Sequence, residues 1–338
     1  MKTKQTLEAE AVSTKDIRAV DVGKNFSKMT NASGQLTKHT LQSGILGDHQ
    51  EYLVPVSSMV AASGYAFQLE LFLNEDAKVV GSTNTNAASY SLEEVSFDVE
   101  LVEVSDAIMA DINSELANGA QIPLPYKSWR SHQTALSGAG TEHKIDISES
   151  AMNLTNMYSV LVPQSWSQKQ SVTSAKYLAK EYDPYSFYGG RKALNASGAF
   201  TDATDYVNKY VWKYGSTYYP QAPIELVPDS TLALETSLAT LDLKNNERPF
   251  MATLEDNATD SQPRFETRDF VLAHSFRKSG DKGIVSGLNS ANSGAPISLQ
   301  LHFNSNPNAS VPKSVQTFIE QENTLYIKPN GESSTVAN

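Results

Sequence analysis

The chain has 338 residues, with 27 Lys or Arg against 38 Asp or Glu, so its formal net charge is -11. It contains no cysteine, which excludes disulfides, thiolate metal sites and cysteine nucleophiles. The net acidity argues against a nucleic-acid-binding protein, because contacts with phosphate need clustered Lys and Arg.

The beginning of the chain is polar and mildly basic. Residues 1–30 carry six basic and four acidic side chains. We expect residues 1–34 to form a flexible N-terminal arm, as chain termini commonly do. This stretch lacks the apolar core of a secretory signal, and no apolar run approaches the roughly 20 residues of a spanning helix. The sequence therefore predicts neither a membrane-spanning nor an exported protein.

Two early segments alternate apolar and polar side chains. Residues 67–73 place one phenylalanine and three leucines on one face, and residues 95–101 repeat the pattern before its parity slips, as at a bulge. Such alternation predicts antiparallel strands with one buried face and one solvated face.

Two segments have helical spacing. Residues 105–118 place apolar side chains four apart, with Ser105 in position to cap the start and Gly119 in position to end the helix. Residues 229–243 place leucines along one stripe, and Pro228 stands just before them. We expect two short amphipathic helices.

Each helix is followed by strand-like runs. They lie at residues 129–136, 143–147 and 157–162 after the first helix, and at 265–276, 297–303, 315–320 and 324–328 after the second. The order of elements repeats although the residues do not. We therefore predict an all-β fold of two tandem eight-stranded jelly rolls, each with a short helix inserted between its middle strands. The predicted units are a first roll at 35–165, a second at 166–331 and a C-terminal tail at 332–338.

Residues 210–224 carry the most specific pattern in the chain. They read Tyr-Val-Trp-Lys-Tyr-Gly-Ser-Thr-Tyr-Tyr-Pro-Gln-Ala-Pro-Ile and precede the second predicted helix. The two prolines fix φ and remove two backbone donors, which predicts a rigid extended strut rather than a ladder strand. A proline-rich connector between domains would have the same local features.

This segment resembles one found in double jelly-roll major capsid proteins of tailless icosahedral viruses, the lineage that includes adenovirus-like, tectivirus-like and polinton-like viruses. Three further places are similar to that family. They are residues 92–129, residues 270–303 with Gly287-Leu288-Asn289-Ser290, and residues 318–331. The similarity covers most of residues 35–331 and is poorest at 165–206.

The resemblance implies a major capsid protein that forms pseudo-hexameric homotrimers and tiles an icosahedral virion shell. It implies contacts with neighbouring capsomers and with penton or minor capsid proteins, an N-terminal arm directed to the interior, an internal membrane or a neighbour, and synthesis in the host cytoplasm. It implies no enzyme activity and no cofactor. A tandem jelly-roll carbohydrate-binding or spike-type module is the alternative reading.

The sequence contains no recognisable catalytic, cofactor or metal site. The six histidines are dispersed without the spacing of a zinc site; they are His39, His49, His132, His143, His274 and His302. Glu93 and Glu94 are adjacent on a strand-like run and point to opposite faces. A glycosidase pair made of Glu100 with Glu70 or Asp98 is conceivable, because jelly-roll glycosidases place two acids on a concave sheet.

Aromatic side chains cluster in a loop-like stretch that also holds Pro184, Gly189 and Gly190. They are Tyr177, Tyr182, Tyr185, Phe187 and Tyr188. Aromatic residues often anchor protein contacts, so this stretch is a candidate contact surface, with ordinary loop packing as the alternative.

Overall fold

The structure is a computed structural model of the chain. It describes residues 44–46, 54, 70–73, 91–92, 95–98, 101–164, 187–194, 200–227, 231–240, 270–277, 287–291, 295–309, 312–327 and 333–337. These residues form two helices and eleven strands. The helices are α1 (Asp106–Ala117) and α2 (Thr231–Thr240). The strands are β1 (Ile122–Ala135), β2 (Glu142–Ile147), β3 (Leu154–Pro163), β4 (Lys192–Leu194), β5 (Phe200–Asp202), β6 (Val207–Tyr214), β7 (Thr217–Glu225), β8 (Leu272–Ser275), β9 (Ile297–Phe303), β10 (Lys313–Ile327) and β11 (Ser333–Ala337).

Two antiparallel sheets account for most of these strands. The first sheet has the order β1-β10-β3-β8, with β11 added beside the end of β10. The second has the order β2-β9-β6-β7, and β4 pairs with β5 as a separate ribbon. The prediction of an all-β fold is confirmed.

The pairing of the eight main strands is nested. The first of the eight, β1, pairs with the last, β10; the second, β2, pairs with the seventh, β9. The third, β3, pairs with the sixth, β8, and the two middle strands β6 and β7 form a hairpin. A long antiparallel ribbon rolled up in this way is a jelly roll. The described residues thus contain one complete jelly roll, which spans residues 122–327.

The main hydrophobic core lies between the two sheets. It is built from side chains that point inward from both, including Met157, Trp212, Phe270, Leu299 and Ile319, each of them fully buried. Their alternation along β9 and β10 follows from the period of two in a strand. The burial of these side chains against each other provides the main force that holds the sheets together.

A second, smaller core lies at the end where β1 and β10 extend beyond the sandwich. Leu124 of β1 and Leu325 and Ile327 of β10 pack there against Leu116 of α1. The helix begins after Ser105, as predicted, although the Ser105 side chain makes no capping hydrogen bond. It ends before Gly119, whose φ of 91° requires a residue without a side chain.

The structure changes the predicted division of the chain. Residue 165 lies between β3 and β4, and β3 pairs with β10 and β8 from the later part of the chain. Strands on both sides of that boundary therefore share both sheets. Local patterns located the strands but could not show which strands pair, because pairing partners here lie more than 100 residues apart. The helix α1 also precedes the roll rather than interrupting its middle strands, whereas α2 lies between β7 and β8.

Three segments differ from their predicted form. The prolines of residues 210–224 lie inside β7, which is a strand at the edge of its sheet, where a missing backbone donor is tolerated. The runs at 315–320 and 324–328 form one continuous strand, β10. The predicted C-terminal tail contains β11, which pairs with β10.

The early alternating segments are only partly described. Residues 70–73 and 95–98 are not in strands, and their apolar side chains are exposed, including Phe72 at 90% and Val95 at 62%. An alternating pattern forms a strand only where another strand lies beside it, and no described strand pairs with these residues. The other residues of both segments lie outside the described part of the chain.

Candidate interaction surfaces

Buried charges on the outer face of the first sheet form the most elaborate polar cluster among the described residues. Glu320 of β10 is only 5% exposed. Its Oε1 accepts hydrogen bonds from Thr155 Oγ1 at 2.9 Å, Asn156 Nδ2 at 3.2 Å and Arg277 Nη2 at 3.0 Å. Lys127 Nζ lies 3.7 Å from the same oxygen. These contacts supply the partners that a buried carboxylate needs, and they join β1, β3, β10 and the end of β8.

A second buried carboxylate belongs to Glu149, in the loop after β2. Arg130 Nη1 lies 3.1 Å from its Oε1 and His132 Nε2 lies 3.0 Å from its Oε2, while Gln321 Nε2 donates to Oε1 at 2.8 Å. The loop between the two sheets is thereby fastened to β1 and β10.

An aromatic pair lies beside the Glu320 cluster. The Trp129 ring stacks on Tyr158 with a centroid distance of 5.4 Å, and Trp129 remains 38% exposed. The hydroxyl of buried Tyr158 donates to the carbonyl of Thr240 at the end of α2, at 3.0 Å. The outer face of the first sheet therefore presents an exposed indole on a rigid aromatic base.

Lys313, at the start of β10, is a buried cation. Its Nζ donates to Asp205 Oδ2 at 2.6 Å and to the carbonyl of Pro307, and it lies 4.9 Å from the centre of the Tyr188 ring. Tyr188 also pairs through its backbone with Leu161. Tyr188, from the predicted aromatic contact surface, is thus packed against the roll, and Tyr177, Tyr182 and Tyr185 lie outside the described residues.

Among the four histidines that the structure describes, His274 is the one with a shifted pKa. Its ring packs edge-to-face on Phe276 at 4.8 Å and lies 6.0 Å from Tyr219. Burial lowers the pKa of His274 to about 4, since it removes water that would stabilise the imidazolium. His132 and His302 lie beside Glu149 and Glu142, and His143 contacts the Gly140 carbonyl. His39 and His49 lie outside the described residues.

Within the described ranges, no three His, Asp or Glu side chains are grouped closely enough to hold a metal ion. Glu70 and Asp98 are exposed and are not part of a concave sheet, while Glu93, Glu94 and Glu100 lie outside the described residues. No helix in the described part of the chain is long and apolar enough to span a bilayer.

The buried charge clusters were not expected from the sequence. Glu320 and Lys313 look like ordinary polar positions of an alternating strand, and their partners Arg277 and Asp205 lie 43 and 108 residues away. Charged residues are ordinary on the solvated face of a strand, so nothing local in the sequence indicates that these two are buried.

Comparisons with known proteins gave matches among solved structures. No family profile and no curated protein sequence matches the chain. The capsid of PBCV-1 virus has 9% identity and a TM-score of 0.36, with 65% of this chain and 52% of that chain covered. The Sputnik virophage structure has 11% identity and a TM-score of 0.32, with 64% and 39% covered. The mavirus major capsid protein has 13% identity and a TM-score of 0.29, with 65% and 41% covered.

The first of these structures is described as a virus capsid, the second as a virophage and the third as a major capsid protein. This chain spans about half or less of the length of each of these chains.

Proposed function

We propose that this chain is a major capsid protein that assembles as homotrimers into the shell of an icosahedral virion. The observation that carries the proposal is the nested pairing of eight strands into a jelly roll. This architecture recurs in viral capsid domains and in lectins. Because a fold alone does not determine function, the choice between these two uses depends on the surface.

The surface supports assembly. Large apolar side chains ahead of and within α1 are exposed in the single chain, among them Phe72 at 90%, Leu101 at 80% and Ile108 at 50%. A soluble monomer rarely leaves large apolar patches uncovered, and exposed side chains of this kind commonly become contacts between subunits. Under this proposal the residues ahead of α1, with their alternating segments, take part in contacts between copies of the chain.

The proposed trimer has threefold symmetry with two similar rolls per chain, which gives a block with a hexagonal outline. Larger, partly apolar contacts would hold the trimer, and smaller polar contacts would join trimers to their neighbours and to penton or minor capsid proteins. The N-terminal arm, residues 1–34, would extend to a neighbour or to an internal membrane. It lies outside the described residues.

The proposal is tested by measuring the mass of the assembled protein and then imaging it by electron microscopy. Light scattering after size exclusion should give three times the 36.8 kDa of one chain, and negative-stain micrographs should show hexagonal blocks or shells. A protein that remains monomeric over a hundredfold range of concentration would contradict the proposal.

Exposed Trp129 on its aromatic base favours carbohydrate binding as the second candidate function, since sugars stack on such rings. Retention of the monomer on an immobilised sugar, lost in Trp129→Ala but not in Tyr218→Ala, would support that function. Tyr218 is a suitable control because it is 41% exposed and lies on the other sheet.

A further inference from the structure

Helix α1 buries one end of its apolar stripe and exposes the other. Ile108, Ile112 and Leu116 are spaced four residues apart, so they lie on one side of the helix. Leu116 packs into the small core, Ile112 is half-buried, and Ile108 is 50% exposed. The stripe therefore runs off the roll toward the start of the helix. Because a helix of 12 residues is only marginally stable by itself, we expect another surface to cover the exposed end.

The exposed end of α1 is also strongly acidic. Residues 79–126 contain eight Asp or Glu and no Lys, Arg or His. Four of these acids, Glu103, Asp106, Asp111 and Glu115, are exposed in or just before α1. Contact between the α1 helices of two copies would bring these like charges together, which is unfavourable at an interface. The exposed end of α1 therefore fits a surface that combines apolar area with positive charge.

The outer face of the first sheet offers an apolar area at Trp129, whose indole is partly exposed above Tyr158. Two cations lie beside it, since Lys127 and Arg277 both contact the Oε1 of Glu320, the residue directly opposite Trp129 on β10. Glu322 is half-buried opposite Lys127 and balances one of these cations.

The cations of this region are more exposed than the carboxylates that they bind. The side chains of Lys127 and Arg277 are 31% and 28% exposed, against 6% for Glu320. Arg130, at the edge of the sheet, is 62% exposed, against 3% for its partner Glu149. Positive charge thus lies at the surface around Trp129, and most of the compensating negative charge lies beneath it.

The two surfaces lie on opposite faces of the first sheet. Strand β1 pairs with β10 without a register shift, so its even-numbered and odd-numbered side chains point to opposite faces. The small core around Leu116 of α1 contains Leu124, an even-numbered residue, whereas Trp129 is odd-numbered. Surfaces placed in this way are suited to join successive copies head to tail, and such a contact can close into a ring.

We propose that the exposed end of α1 in one copy docks on the surface around Trp129 of the next copy, a surface formed by Lys127, Trp129, Arg130 and Arg277. The inference rests on the proposed assembly into homotrimers and names the two surfaces that meet. Ile108 supplies apolar contact with the indole, and the carboxylates of α1 face the cations. Tryptophan and arginine are residue types that commonly anchor contacts between proteins.

Reversing charge on each surface, and then on both, tests the contact in the full-length chain. Ser131 is exposed on the same face of β1 as Trp129, so Ser131→Glu adds an anion there. Light scattering after size exclusion should show that this variant raises the concentration for half-trimerisation about tenfold. The double variant Asp111→Lys, Glu115→Lys should have a similar effect, because it sets cations against cations. The three substitutions in one chain should restore the concentration to within about threefold of the native value, since opposite charges then meet.

Thr217→Glu is the matched control, because it adds the same charge at an exposed position of β7, on the other sheet. It should leave trimerisation unchanged, and thermal denaturation should show that every variant is folded. Equal weakening by Thr217→Glu and Ser131→Glu, or no recovery in the combined variant, would overturn the inference and leave the proposed function standing. A native trimer that binds immobilised heparin, with binding lost in Ser131→Glu, would overturn it too, because the Trp129 surface would then be uncovered. A native chain that stays monomeric at every concentration would overturn both.

Discussion

At the scale of single residues, Gly189 shows how tightly one loop is fitted to the roll. Its φ is 98°, and a Cβ placed there would lie 2.9 Å from Cε1 of the fully buried Phe270. Gly138 has a φ of 84° but open space around it. The two positions share the backbone strain and differ in the steric clash.

We expect Gly189→Ala to lower the free energy of unfolding by about 3 kcal/mol, since strain and overpacking add. Gly138→Ala should cost about 1 kcal/mol, because only the strain applies. Urea denaturation of both variants measures the difference. Equal losses of free energy of unfolding in the two variants would show that the core around Phe270 can rearrange to accommodate an added methyl group.

His274 makes the stability of the fold depend on pH. Its pKa is about 4 in the folded chain, below the ordinary value of 6.5, so the unfolded chain binds more protons between these values. The contribution of His274 is fully present above pH 6.5 and is lost as the pH falls toward 4.

The variant His274→Phe keeps a ring between Tyr219 and Phe276 but cannot be protonated. We expect its free energy of unfolding to fall less than that of the native chain between pH 6.5 and 4, as measured by urea denaturation at a series of pH values. An unchanged slope would mean that other groups account for the acid sensitivity.

At the scale of elements, Glu320 joins strands that are remote in sequence. The Glu320→Ala variant removes the carboxylate that accepts from Arg277 and Asn156, and it removes one of the two acceptors of Thr155, which keeps its bond to the Glu320 carbonyl. We expect a loss of about 3 kcal/mol in the free energy of unfolding, the usual cost of removing one partner of a buried ion pair.

The control is Glu142→Ala on β2, whose side chain is 76% exposed and contacts His302. Because water screens an exposed pair, this variant should change the free energy of unfolding by less than about 0.5 kcal/mol. If both variants lowered the free energy of unfolding by the same small amount, the Glu320 cluster would not stabilise the packing of β1 and β3 with β10.

At the scale of the whole molecule, the long strands make the roll a single unit. β10 pairs with β1 along one side and with β3 and β11 along the other. The fragment 166–338 retains β10 and β9 but loses β1, β2 and β3. We therefore expect that fragment not to fold, and we expect the fragment 106–338, which retains every strand of the roll, to unfold cooperatively.

Circular dichroism and thermal denaturation of both fragments check this expectation. A cooperative transition in fragment 166–338 would show that the later strands form a domain of their own, as the sequence predicts for residues 166–331.

Much of the local structure follows from the sequence alone. The alternation of Ile297, Leu299, Leu301 and Phe303 predicts a strand at 297–303, and β9 has those bounds. The spacing of apolar residues and Gly119 predict the helix at α1. Period and turn chemistry act over a few residues, so they are readable without knowledge of the fold, and together with the resemblance they were enough for the all-β class and the jelly-roll architecture.

The tertiary structure decided which strands are neighbours and which charges are buried. Pairing between β1 and β10 joins residues such as Trp129 and Glu320, 191 positions apart, and no local pattern specifies such a partner. The same holds for the buried pair of Lys313 and Asp205. These contacts depend on how the whole ribbon rolls up. Burial and strand pairing are set by residues that are distant in the sequence.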